Sequence, residues 1–209
     1  MRYAQLEAVL ARQIGVLPGK RPRFQARLKQ LQRMGFPEGV NAGKSAKADY
    51  NVDHFFQLAA VLELLQMGLT PERSISALRT WWPYHFRKGL LVARVTNHLV
   101  GIILAPKDFG GLASAGEVGE DDKIAWSSNS ASLMIVDMDD SLDLPATARE
   151  ILLRSPRSIV LNLTFLMREM RKGFAENDLD QALIDETLRG WSKESDLFGR
   201  VIGEGLPRL

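Results

Sequence analysis

Arg21, Arg23, Arg27, Lys29 and Arg33 recur at short intervals with no Asp or Glu among them, and Lys20 stands immediately before. A guanidinium presents a planar fork of donors that fits phosphate oxygens or a guanine edge, and an ammonium is a point charge suited to phosphate. This spacing therefore points to polyanion binding rather than to bond-making chemistry. Lys44 and Lys47 extend the series, giving eight cations from Lys20 to Lys47 against Glu38 alone.

Other residue types that carry chemistry do not assemble. His54, His85 and His98 lie far apart in the chain with no partner at metal-ligand spacing. Asp137, Asp139, Asp140 and Asp143 cluster, but the run lacks the glycine and closing glutamate of a calcium loop, so an acidic turn is the simpler reading. Gly39-Val40-Asn41-Ala42-Gly43-Lys44-Ser45 ends like a phosphate-binding loop. It has three intervening residues where that motif needs four, and no strand and helix flank it. A lysine on a surface loop accounts for it better. No catalytic residues, metal site or cofactor are expected.

The cations need an element to hold them. Phe24, Leu28 and Leu31 fall at i, i+4 and i+7, so residues 21–34 read as a helix with one apolar stripe, while Arg23, Lys29, Gln30 and Arg33 face away. Cations at its start oppose the macrodipole and cost stability unless an anion arrives. Tyr3, Leu6, Leu10 and Ile14 mark a preceding helix over 4–14, ended by Gly15, and the brief turn through Pro18 and Gly19 forces a change of direction. Helix, tight turn and basic helix form the outline of a helix-turn-helix. After Gly35 and Pro37, residues 38–48 lack apolar periodicity and fit a two-stranded wing. Asn51 then caps a helix carrying Phe55, Leu58, Ala59, Leu62 and Leu65, which Gly68 stops. Thr70, Pro71 and Glu72 open another, with Ile75, Leu78 and Trp82 on its buried side.

This order of pieces resembles the MerR-like winged-helix DNA-binding domain over about the first 80 residues. The matching stretches are LARQIGV over 10–16, RLKQLQRMGF over 27–36, KADY over 47–50 and LELLQMGLTPE over 62–72. The resemblance implies that Arg21, Arg23 and Arg27 lie near base edges or phosphates, with Lys44 and Lys47 on the wing. Two departures stand out. Arg21-Pro22-Arg23-Phe24-Gln25 replaces the family's arginine-tyrosine-tyrosine, and Trp81-Trp82-Pro83 interrupts the long dimerising helix that commonly follows the head.

The remainder reads as a different layer. Residues 90–95 and 99–105 suggest two strands joined by a hairpin turn at Thr96-Asn97-His98, and 107–122 is a Gly-rich acidic loop. Further strands are expected at 123–126 and 132–138, a helix from Pro145 to about Arg154, a strand over 158–163 passing into a helix over 164–172, and a last helix over 179–191. The aromatic cluster Trp81, Trp82, Tyr84 and Phe86 beside Pro83 is expected to be a core joint rather than a ligand cage. The expected class is α+β: a DNA-binding head over 1–80 and a small mixed domain over 83–209 that dimerises, senses an effector or contacts a protein partner.

Composition agrees with that division. Residues 1–50 hold ten Lys and Arg against three Asp and Glu, and the other residues hold seventeen against twenty-two, so a formal +2 conceals a basic head on an acidic body. With 209 residues and 45% hydrophobic content the chain can bury a substantial core. The absence of cysteine excludes disulfides and thiolate metal sites and fits a reducing cytoplasm. With no signal-type segment and no apolar run of about 18 residues, a soluble, cytoplasmic, nucleoid-associated protein is expected. The leading expectation is a sequence-specific transcriptional regulator of bacterial or phage type that binds double-stranded DNA as a homodimer. A DNA-architectural or excisionase-like recombination accessory factor shares the head and is the alternative. An enzyme housed in residues 83–209 is a third class, with no legible constellation behind it.

Overall fold

Helix α1 (Tyr3–Gln13) buries Leu6, Val9, Leu10 and Ala11 and is ended by Gly15, whose φ of +70° is a left-handed stop that favours glycine. A short 3-10 turn, Pro18–Lys20, leads into α2 (Arg21–Arg33), where Pro22 occupies the first turn and Phe24, Leu28 and Leu31 turn inward. The computed structural model describes residues 2–40, 49–95, 99–104, 131–136 and 158–199. The greater part of the expected wing, with Lys44 and Lys47, therefore lies outside the described residues. So do the acidic loop, the strand expected at 123–126, the helix after Pro145 and the carboxyl-terminal residues.

Both later caps form as the sequence implies. Asn51 Oδ1 accepts from the His54 backbone N–H at 2.8 Å to start α3 (Val52–Gln66), and His54 Nδ1 accepts from the Asn51 N–H at 3.3 Å. Thr70 Oγ1 accepts from the Arg73 N–H at 3.4 Å to start α4 (Pro71–Trp81).

The structure departs from two expectations. The backbone does not break at Trp81-Trp82-Pro83; it widens into a π-helical turn, Trp82–Phe86, and resumes as α5 (Arg87–Val95). Proline removes a backbone donor and its ring crowds the preceding turn, and a wider turn accommodates both. Residues 90–95 are accordingly helix and not strand. Phe86, Leu90 and Ala93 are buried at i, i+4 and i+7, so helical periodicity overrides a β-rich composition. The expected hairpin therefore lacks its first strand, and its turn, Thr96-Asn97-His98, lies outside the described residues.

The central strand β1 (Leu99–Leu104) pairs antiparallel with β2 (Ala131–Val136) on one side and β3 (Ile159–Asn162) on the other. The registers run from Leu99↔Val136 to Leu104↔Ala131 and from Gly101↔Asn162 to Leu104↔Ile159. The strand expected at the start of 158–163 does pass into a helix. Asn162 Oδ1 caps α6 (Leu163–Glu176) by accepting from the Phe165 N–H at 2.8 Å, and α7 (Ala182–Gly199) follows. The described chain is thus mostly helical with one small antiparallel sheet, a mixed α+β class. No helix among the described residues is long and apolar enough to cross a membrane.

Described residues of both 1–80 and 83–209, the segments expected as separate domains, lie in one hydrophobic cluster. Phe55 of α3 meets Phe174 of α6 edge to face at 5.5 Å, and Trp191 of α7 lies 5.7 Å from Phe56 and 5.8 Å from Trp82. Arg12 of α1 donates to Glu169 at 3.0 Å and to Glu176 at 2.8 Å, both on α6. Gly173 of α6 also packs directly on Val9 of α1, where an added Cβ would clash with Val9 Cγ1. Val9 is fully buried and β-branched, so it cannot swing aside. Gly173→Ala is therefore expected to destabilise the protein by up to about 2 kcal/mol, the overpacking cost of about 1–3 kcal/mol less the gain of about 1 kcal/mol in helix propensity. Urea unfolding of Gly173→Ala with and without Val9→Ala checks this, because the second substitution should restore part of the loss.

Burial holds the pKa of His54 below the ordinary 6.5 despite Asp53 nearby, and burial followed by Lys88 does the same to His85. Such groups bind fewer protons folded than unfolded, so the stability they contribute is present above about 6.5 and is lost as pH falls through their folded values. Glu169, held below 4.5 by Lys172 and Arg12, and Asp185, held below 3.8 chiefly by Arg171, have the same sign in a more acidic window. Glu63, pushed above 4.5 by burial, works in the opposite direction. The urea midpoint should therefore drop between neutral pH and the mildly acidic range. His54→Gln, which keeps an acceptor for the Asn51 N–H, should flatten that drop; an unchanged slope would remove His54 from the account.

Candidate nucleic-acid interface

Helix α2 divides its residues cleanly. Phe24, Leu28 and Leu31 are buried in the core, while Lys20, Arg23, Ala26, Arg27, Lys29, Gln30 and Arg33 are exposed. At 3.6 residues per turn, Arg23 and Arg27 stand one above the other along one flank, with Lys20 a turn earlier, and Lys29 and Arg33 form a second row on the other flank. Ala26 and Gln30 lie between the rows. From Arg23 to Arg33 the display runs about 15 Å along the axis, about four base-pair rises of duplex. No acid occurs in the helix, and among the described residues Lys20, Arg23, Arg27, Lys29 and Arg33 form no ion pair.

Arg21 is placed differently from its neighbours. Its Nη1 donates to Glu7 Oε1 of α1 at 2.8 Å, with the Glu7 side chain only 11% exposed. The contact ties the start of α2 to α1 and relieves one of the cations crowded at that helix end. Of the sequence-derived set, the structure thus gathers Lys20, Arg23, Arg27, Lys29 and Arg33 on one exposed surface and engages Arg21 in a structural contact; Lys44 and Lys47 lie outside the described residues.

The far side of α2 is held in place by aromatic packing. Gln32 donates to the buried Tyr50 hydroxyl, and the Tyr50 ring lies 6.4 Å from both Tyr3 and His54. Burial raises the pKa of the Tyr50 and Tyr3 hydroxyls above their ordinary value, so both stay neutral. Phe36 and Val40 are buried on the amino-terminal side of 41–48, and Glu38 pairs with Arg79 of α4 at 2.9 Å. Both ends of the expected wing are therefore anchored beside the basic helix.

Sequence reasoning missed two features. Gln30, which the sequence shows only as outward-facing, occupies the middle of the cationic display, a position that helical spacing alone gives. The Glu7 contact of Arg21 left no mark in the sequence, because pairing between helices has no fixed spacing. Elsewhere, Trp81, Trp82 and Phe86 pack into the core while Tyr84 stays 52% exposed, which is the joint and not a cage. Among the described residues, no group of three or more His, Asp or Glu side chains is placed to hold a metal ion. Comparison with protein family models, curated proteins and solved structures found no match to this chain.

Proposed function

We propose that the protein is a sequence-specific DNA-binding regulator of transcription, of bacterial or phage type, with α2 lying in the major groove. The observation that carries this reading is the exposed double row of cations on a helix whose opposite side is fixed in the core. In such a groove the two flanks face the two phosphate walls, and the residues between them face the base edges. Arg23, Arg27 and Lys20 serve one wall and Lys29 and Arg33 the other, while Gln30 is chemically suited to the paired donor and acceptor of adenine. Lys44 and Lys47 contact the neighbouring backbone in the winged-helix arrangement that the resemblance implies. A homodimer would place two such helices on half-sites about one helical turn apart, and the residues beyond 83 would serve pairing, an effector or a protein partner. The protein then acts in the cytoplasm, on the nucleoid.

The test is binding of the purified protein to pooled genomic duplex fragments at low salt, with recovered sites sequenced. Arg23→Ala and Lys44→Ala should each weaken binding by roughly tenfold across all fragments, and Gln30→Ala should chiefly relax the preferred sequence. Unchanged binding in both cation variants rejects the assignment.

A further inference from the structure

Beside the cationic flank of α2 lies a cleft of about 450 Å³. Phe24, Leu62 and Leu65 form its apolar floor, and Leu17, 67% exposed in the turn before α2, stands at its rim. Lys20, Arg23 and Arg27 line it too, and no acidic side chain does. Duplex phosphates would use these cations but have no use for an exposed leucine above an apolar floor. An acidic segment carrying large apolar anchors would use both, since the anchors fill the cleft while the carboxylates pair with the guanidinium forks.

We propose that this cleft docks an acidic amphipathic helix of a partner protein, and that docking competes with DNA. This rests on the DNA reading, because Arg23 and Arg27 belong to both surfaces. A partner seated there covers one phosphate-facing flank, so the protein is either on DNA or held by the partner. The lining argues for a helix in a groove: apolar anchors three or four residues apart meet the floor, and flanking carboxylates meet the cationic side.

The experiment is selection of a displayed random peptide library, about 16 residues long to allow about four helical turns, on the full-length protein. Leu17→Ser and Arg23→Glu serve as counter-baits. Leu17 makes no part of the proposed DNA contact, so Leu17→Ser should bind duplex normally. The expected result is enrichment of peptides combining Asp or Glu with large apolar residues at helical spacing. Their binding should fall about tenfold or more in each variant, the weight of one interface anchor or more, and a duplex bound by the protein should displace them. Peptides that need Arg23 but ignore Leu17 would show bare anion capture and overturn the proposal. So would an absence of enrichment, or binding only to vesicles of anionic lipid. Peptides needing both residues yet undisturbed by bound duplex would overturn the competition. If the protein binds no duplex at low salt while such peptides are still selected, the DNA reading falls and the docking cleft stands.

Discussion

Reversing Arg23 and Arg27 together to glutamate is expected to weaken duplex binding about 100-fold or more while leaving the fold at least as stable. Each cation contact to phosphate or guanine contributes about 1–3 kcal/mol, so losing two removes about 3 kcal/mol before repulsion is counted. Folding should respond in the other direction. Both side chains are exposed and form no ion pair among the described residues, and Arg23 sits in the first turn of α2, where the macrodipole favours an acid. A melting temperature equal to or above that of the unmodified protein, together with lost binding, separates a surface made for a ligand from one made for stability. Lost binding with a lowered melting temperature would instead mark these arginines as structural.

Truncating Trp82 to alanine is expected to be the most damaging single change, at about 3–5 kcal/mol. The ring is 6% exposed, stacks on Phe86 at 5.7 Å and meets Trp191 edge to face at 5.8 Å. Its indole Nε1–H donates to Asp53 at 3.2 Å, and the same carboxylate accepts from Arg87 at 3.0 Å. Arg87 also pairs with Glu194 at 2.8 Å and lies 5.3 Å from the centre of the Trp191 ring. Trp82 therefore joins α3, the π-helical turn and α7, so its loss should loosen the basic head and the later helices together. Trp82→Phe keeps much of the stack and loses the donor, a smaller cost of about 1 kcal/mol beyond its volume, because Arg87 still meets Asp53. Circular dichroism and tryptophan fluorescence should report one shared unfolding transition in Trp82→Ala. Two separated transitions would contradict the common core.

Local signals were legible in the residues themselves. The stripe of Phe24, Leu28 and Leu31, the caps at Asn51 and Thr70, and the change from strand to helix near Asn162 each depend on a few neighbouring positions, and each stands where the sequence puts it. What escaped was set at a distance. Residues 90–95 have the composition of a strand, and only the helix delivered by the π-helical turn decides their period. The union of head and body depends on Gly173 meeting Val9 and on Arg12 reaching Glu169 and Glu176, contacts that no local pattern announces. The candidate interface was half visible for the same reason. Periodicity sends Arg23, Lys29 and Arg33 outward, whereas the partnership of Arg21 with Glu7 needs the packing of α1 on α2.

The salt dependence of duplex binding tests the central claim most directly, because it counts the cations that meet phosphate. With Lys20, Arg23, Arg27, Lys29 and Arg33 on the exposed surface, and Lys44 and Lys47 proposed to meet the neighbouring backbone, the logarithm of the binding constant should fall against the logarithm of salt with a slope of about −6 per head. Each phosphate neutralised accounts for about −0.9. The Arg23→Ala, Arg27→Ala double variant should reduce the steepness by about 2. A slope near zero, or the same slope in the double variant, would contradict the account.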